Sequence, residues 1–208
     1  TYRGAGTLER DAANPSDLSY LNGVNGGVVE LGAGGWIKLL NGDLRLDASS
    51  QTSWANNKAS LDIASTASLD FYDNTSDVIV DALSGSGDIT RSSGGSASFV
   101  VGVADHIAVA SNTSNYTGVI SNASGEIKFV KQGSGTQQLS GANTFDGTTT
   151  IEAGKLITTG TLSDDTAVTV KQGAYYDVRT SDTIASLAGE TGSSAVIANG
   201  VTLSVGGD

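Results

Sequence analysis

The sequence predicts an all-β chain wound into a right-handed parallel β-helix, a solenoid of about seven to nine coils, and three observations carry that expectation. Short runs rich in Val, Ile, Leu and Thr recur at intervals of roughly eight to twelve residues. Glycine, present 28 times, sits between most of them. The chain also resembles itself at fixed offsets, as stacked units of supersecondary structure do. Strands this brief cannot bury a face alone, so they gain a core only by lying on neighbouring copies.

Sliding the chain by 29 residues lays Tyr116, Gly118, Gly125 and Ile127 on Phe145, Gly147, Gly154 and Leu156. An offset of 104 lays Val80, Leu83, Gly85, Phe99, Val101 and Gly102 on Ile184, Leu187, Gly189, Leu203, Val205 and Gly206. A parallel β-helix uses roughly 20 to 30 residues per coil with strands about 4.8 Å apart, so the shorter offset fits one coil. A two-sheet sandwich would not naturally repeat at that distance.

The first expected strands are Val28–Leu31, Trp36–Leu40 and Leu44–Leu46. Asn-Gly pairs at Asn22, Asn25, Asn41 and Asn199 supply the positive φ that sharp turns require. Leu61–Ile63, Leu69–Tyr72, Val78–Val80, Phe99–Val101 and Ile107–Val109 follow, each a short apolar or β-branched run. Then come Ile127–Val130, Thr148–Ile151, Lys155–Ile157, Ala167–Val170, Tyr175–Val178, Thr183–Leu187, Ala195–Ile197 and Thr202–Val205. The expected inward positions include Leu139, Ile151, Leu156, Val168, Val170, Ile184, Leu187, Leu203 and Val205. Each would contribute about 1.5–3 kcal/mol on burial.

Composition excludes several classes. At 38% hydrophobic residues the chain should fold, and a single proline, Pro15, means that its glycines mark ordered turns and not a linker. A net charge of −11 disfavours nucleic acid and anionic membranes as partners. The absence of cysteine removes disulfides, thiol catalysis and thiolate metal sites, and does not by itself place the protein in the cytosol. The chain opens at Thr1 without methionine, so an internal fragment of a longer protein is expected.

Residues with catalytic potential are few. His106 is the sole histidine, and on a strand its neighbour Asp105 would point to the opposite face. Asp164-Asp165 is the one adjacent acidic pair, in a Leu-Ser-Asp-Asp-Thr stretch that reads as a turn. Gly85-Ser86-Gly87-Asp88-Ile89 has the look of a calcium nonapeptide, but it stands singly, and such sites share ligands between consecutive copies. No metal, cofactor or catalytic residue is therefore expected. Tyr175 and Tyr176 are adjacent, so one ring must face away from the core, which makes the pair a candidate contact site.

From Gly133 to Leu156 the sequence resembles the passenger-associated transport repeat of Gram-negative autotransporters. Gly133, Gly135, Leu139, Gly141, Asn143, Phe145, Gly147, Ile151, Gly154 and Leu156 carry the resemblance, with Thr136, Thr144, Thr149, Thr150 and Ala153 beside them. Gln137 departs from an expected leucine, which should weaken burial there without shifting the register. The likeness covers residues 112–208 well and 1–111 faintly, as diverged coils of one elongated domain, although Leu69 to Gly102 looks like a distant copy of the segment after Gly173.

The resemblance implies a non-enzymatic stalk segment of a type V secretion passenger. Such a segment is exported across the outer membrane, displayed at the bacterial surface and followed by an outer-membrane β-barrel in the full-length chain. Its expected partners are a second copy of itself or host surfaces and glycans, in adhesion or self-association. Two other readings stand beside it. One is a polysaccharide-cleaving β-helix enzyme, and the other is a phage tail-spike or fibre segment.

Overall fold

The computed structural model describes residues 2–4, 7–11, 19–20, 29–47, 53–103 and 113–206. Within them the chain is strand and turn, and every strand pairing is parallel, in a β-solenoid of about seven turns. His106 with Asp105, the expected strand Ile107–Val109, the Asn-Gly pairs at Asn22 and Asn25, and Val28 lie outside the described residues.

Each coil runs along three walls. The first stacks Thr7–Asp11, the front of Trp36–Arg45, Ser60–Ile63, Leu83–Gly85, Thr113–Tyr116, Thr136–Leu139, Lys155–Thr158, Tyr175–Val178 and Ser194–Ile197. The second stacks Ser19–Tyr20, the rear of Trp36–Arg45, Ala67–Asp70, Asp88–Arg91 and Ile120–Asn122. The third stacks Val78–Val80, Ser96–Val101, Glu126–Lys131, Thr149–Ile151, Ala167–Val170 and Ser186–Gly189. In later coils the second wall thins to a bridge between Ala142 and Thr161 and to the pair Asp182–Ile184 with Leu203–Val205.

The strands fall close to the expected places, and the register does not. Tyr116 stacks on Leu139 and not on Phe145, so the offset of 29 is not a coil. From Thr136 to Lys155, Tyr175 and Ser194 the coils advance by 19, 20 and 19 residues. Glu126 lies 30 residues above Ser96. The offset of 104 also fails, since Leu83 belongs to the first wall and Leu187 to the third. Glycine and apolar classes recur in any coil, so class matching alone cannot set register.

Asn41-Gly42 is a second correction. It lies inside the continuous strand Trp36–Arg45, where a register slip opposite Arg10/Asp11 and Gly42 at φ 73° turn the strand from the first wall into the second. Five strands escaped the sequence reading in this part of the rod: Leu83–Gly85, Asp88–Arg91, Thr113–Tyr116, Ile120–Asn122 and Thr136–Leu139. They are rich in Ser, Thr, Asn, Gln and Asp, and they pair because neighbouring coils offer them bonds, against their own weak propensity.

Side chains alternate inward and outward, so each wall presents stacked inward columns. On the first wall one column reads Ile37, Leu61, Leu83, Ser114, Gln137, Leu156 and Tyr176, all buried. Phe71, Phe99, Phe129 and Phe145 run through the interior with ring centroids 5.7, 6.1 and 6.3 Å apart, the first two contacts edge-on. Leu139, Ile151, Leu156, Val168, Val170 and Ile184 are buried as expected. Leu187 and Leu203 are only half-buried and Val205 is 49% exposed, because no described coil lies upon the last one.

Gln137 also departs from expectation. It is 1% exposed, and its amide reaches past Ser114 to the coil beyond. Oε1 accepts from the Leu83 N–H at 3.2 Å, and Nε2 donates to the carbonyls of Leu83 and Gln138 at 3.0 Å each. Strand Leu83–Gly85 pairs with Thr113–Tyr116 at a single point, Gly85 with Tyr116, which leaves the Leu83 peptide without backbone partners on that side. An amide side chain fills the gap, with help from Ser114 Oγ at 2.6 Å on the same carbonyl.

Gln137→Leu, which restores the residue expected in the repeat, should therefore destabilise the rod by about 1–3 kcal/mol, since it strands the buried Leu83 N–H. Denaturant melts would read the loss, and hydrogen exchange should rise at Leu83.

Candidate functional site

The repeat stretch forms two coils stacked on each other. Phe129 pairs with Thr149, Thr136 with Lys155, and Ala142 with Thr161, so all three walls are closed within this one stretch. The span from Gly133 to Leu156 is accordingly longer than one coil. Its two ends meet: a side chain at Gly154, whose φ is 65°, would run into the carbonyls of Gly133 and Gly135. One at Gly147 would strike the Ile127 carbonyl in the coil beneath.

Asn143 does for the second wall what Gln137 does for the first. Its Oδ1 accepts from Ile120 N–H at 3.0 Å in the coil below, and its Nδ2 donates to Gly141 O at 3.0 Å and to Thr161 O at 2.9 Å in the coil above. Asn57 brackets an earlier part of the rod in the same way, accepting from Leu31 N–H and donating to Ile79 O. Phe145, two residues on, packs against Phe129. The motif residues are thus those that hold one coil to the next.

The corners use buried cations. Lys131 Nζ donates to the carbonyls of Gln132, Gly133 and Ala153, and Arg91 donates to those of Tyr72, Gly94 and Asn74. Burial pulls the Arg91 pKa below its usual value, against the pull of Asp70, Asp73 and Glu126. Neither residue stood out in the sequence, where a lone cation on a strand reads as a solvated one.

The tyrosine pair divides as alternation demands. Tyr175 points outward and is 50% exposed. Tyr176 is fully buried and is not available for contact; burial pushes its hydroxyl up to about 12, beside Thr158. Tyr175 stands over Lys155 on the first wall, next to the outward column of Gln138, Ile157, Asp177 and Val196. Val196 is exposed, whereas Asp177 is buried and held by Lys155 Nζ at 2.6 Å and Arg179 at 2.9 Å. Burial alone would raise the Asp177 pKa, but the hydrogen bonds from Arg179 and Lys155 and their charges bring it below the ordinary 3.8.

The carboxylates the sequence raised as chemical candidates serve structure. Asp164 and Asp165 are exposed in a turn, where Asp165 N–H donates to Ser163 Oγ at 3.3 Å. Asp88 accepts from Val119 N–H at 2.9 Å in the next coil. Asp182, which the sequence did not mark, lines a cleft of about 350 Å³ with Asp164 and the hydroxyls of Thr161, Ser181, Thr202 and Ser204. Both of its oxygens are turned to backbone, Oδ2 accepting from Leu162 N–H at 2.9 Å and Oδ1 from Thr183 N–H at 3.0 Å. Burial raises its pKa, with Asp164 adding to the rise. Among the described residues no group of three His, Cys, Asp or Glu could hold a metal ion, and no helix is long and apolar enough to cross a membrane.

The stacked pair of coils coincides with the result of comparison. The family described as Passenger-associated-transport-repeat matches residues 129–163. The segment is a β-solenoid in which those residues match that repeat, consistent with autotransporter-type passenger domains. No curated protein and no solved structure matches the chain.

Asn143→Ala strands Ile120 N–H in the second wall and should cost about 1–3 kcal/mol, read as a lower Tm. The two aspartates should titrate in opposite directions by carboxyl NMR, Asp182 above 3.8 and Asp177 below it. Asp177 then contributes stability that is lost as pH falls through its depressed pKa. Asp182 contributes in the opposite sense, since its raised pKa makes the fold less stable as pH rises through that value.

Proposed function

We propose that this chain is a structural segment of an exported bacterial surface protein, a non-enzymatic rod of autotransporter type that supports export and takes part in adhesion or self-association. The observation that carries the proposal is the coincidence of the matched residues 129–163 with two coils whose walls close on each other. A pair of coils that already holds its own ladder can form as soon as it leaves a narrow pore, and then offers the next segment an edge to pair with. The absence of cysteine suits a chain that must pass unfolded. Folding on the far side opposes return, so the free energy of stacking drives transport in one direction.

In this reading the outer face of the first wall is the contact surface, with Tyr175 and Val196 as its apolar elements beside the Lys155, Asp177 and Arg179 ion cluster. The partner is another copy or a host surface carrying glycans, and the full-length protein is anchored by a β-barrel in the outer membrane. Asp88 and Asp182 both accept hydrogen bonds from backbone N–H groups, as carboxylates with a structural task do.

The test uses the full-length protein displayed on cells. Leu156→Asp places a carboxylate at a fully buried position and should lower the amount displayed several-fold, measured by surface labelling. Tyr175→Ala should leave display intact and reduce clumping or host-cell binding. Undiminished display of the first variant would separate stacking from export, and unchanged clumping of the second would move the contact face elsewhere.

A further inference from the structure

The corner between Ser194–Ile197 and Leu203–Val205 is longer than the corner beneath it. Ile197 pairs with Val178 and Leu203 with Asp182, so five residues stand above a stretch of three. The ends of the longer corner are tied down, with Ala198 N–H donating to Val178 O at 2.9 Å and Asp182 N–H to Thr202 O at 3.0 Å. The excess therefore loops outward as a tight turn, closed by Val201 N–H on Ala198 O at 3.1 Å, with Gly200 at φ 77°. Asn199 and Gly200 are both exposed, and no atom outside the adjoining residues comes within 4 Å of where a Gly200 side chain would be.

The turn's closing bond is made by Val201, so the Gly200 nitrogen is not engaged in it. Asn41-Gly42 is the same dipeptide in the opposite setting. There Gly42 is buried, and its N–H donates to Thr66 O at 2.8 Å in the ladder between coils.

We propose that Asn199 is a site of spontaneous deamidation, a covalent modification of the rod by water alone. The Gly200 backbone nitrogen attacks the side-chain carbonyl carbon of Asn199 and forms a five-membered imide. The carboxamide C–N bond breaks, and ammonia leaves with the proton from the Gly200 N–H. Water then opens the ring at either carbonyl, giving aspartate or, when the original peptide bond is the one cleaved, isoaspartate with an extra carbon in the main chain. No oxidant or enzyme is needed. Each event adds one negative charge, and the lengthened main chain falls between the tied ends Ala198 and Thr202.

The folded protein, incubated at mildly alkaline pH and mapped by mass spectrometry with isoaspartyl methyl-transfer labelling, should convert at Asn199 roughly tenfold or more faster than at Asn41. In denaturant the two rates should converge, since both are then free Asn-Gly pairs, and Asn199→Gln should abolish labelling of that peptide. Equal conversion at Asn41 and Asn199 in the folded state overturns the proposal. So does an Asn199 amide that survives folded incubation while the denatured chain converts.

Discussion

The rod depends on the ladder of N–H to O=C bonds that joins each coil to the next. Parallel strands of mostly three to six residues have little stability in isolation, and their polar backbone is buried on the inner side. Every change of coil length threatens to leave a peptide group unpaired, at about 1–3 kcal/mol each. The chain answers with side chains that imitate a peptide. Gln137 closes the first wall at Leu83, Asn143 and Asn57 bracket coils on both sides, and Asp182 accepts from Leu162. An amide suits the task because it both donates and accepts, as a peptide does.

Apolar stacking works within that frame. The phenylalanines pass from Phe71 to Phe145 across four coils, and Leu, Ile and Val fill the columns beside them. The acidic exterior and the cationic interior are a division of labour. Corner carbonyls that converge at a turn need a donor with several hydrogens, and Lys131 and Arg91 provide it. Replacing either with a neutral residue would leave three carbonyls facing one another, so the charge is held there by its ligands despite the cost of burial.

How much of this was legible in the sequence follows from what each residue type can signal. Strands marked by Val, Ile, Leu and Phe, such as Val78–Val80 and Tyr175–Val178, fell where periodicity put them. The repeat motif located the best-formed coils, and the outward and inward tyrosines followed from alternation. Register was not legible, because Tyr116 and Phe145 are both buried aromatics with different neighbours. Polar strands such as Thr113–Tyr116 were missed, since their pairing is imposed by adjacent coils. The bracket residues Gln137 and Asp182 looked like departures or surface residues, and only the missing backbone partners explain why polar groups lie inside.

Uneven coil length has a mechanical consequence. In a rod where each layer touches only its neighbours, resistance to pulling is local, and layers give way singly in the order of their weakness. The layers from Thr136 onward, matched in length to within a residue on the first wall, present nearly equal steps to an applied load. The coil at Leu83 meets the next through one backbone pairing and a borrowed amide on the first wall, but through three and six paired residues on the second and third, so under load that layer would open from its first-wall side.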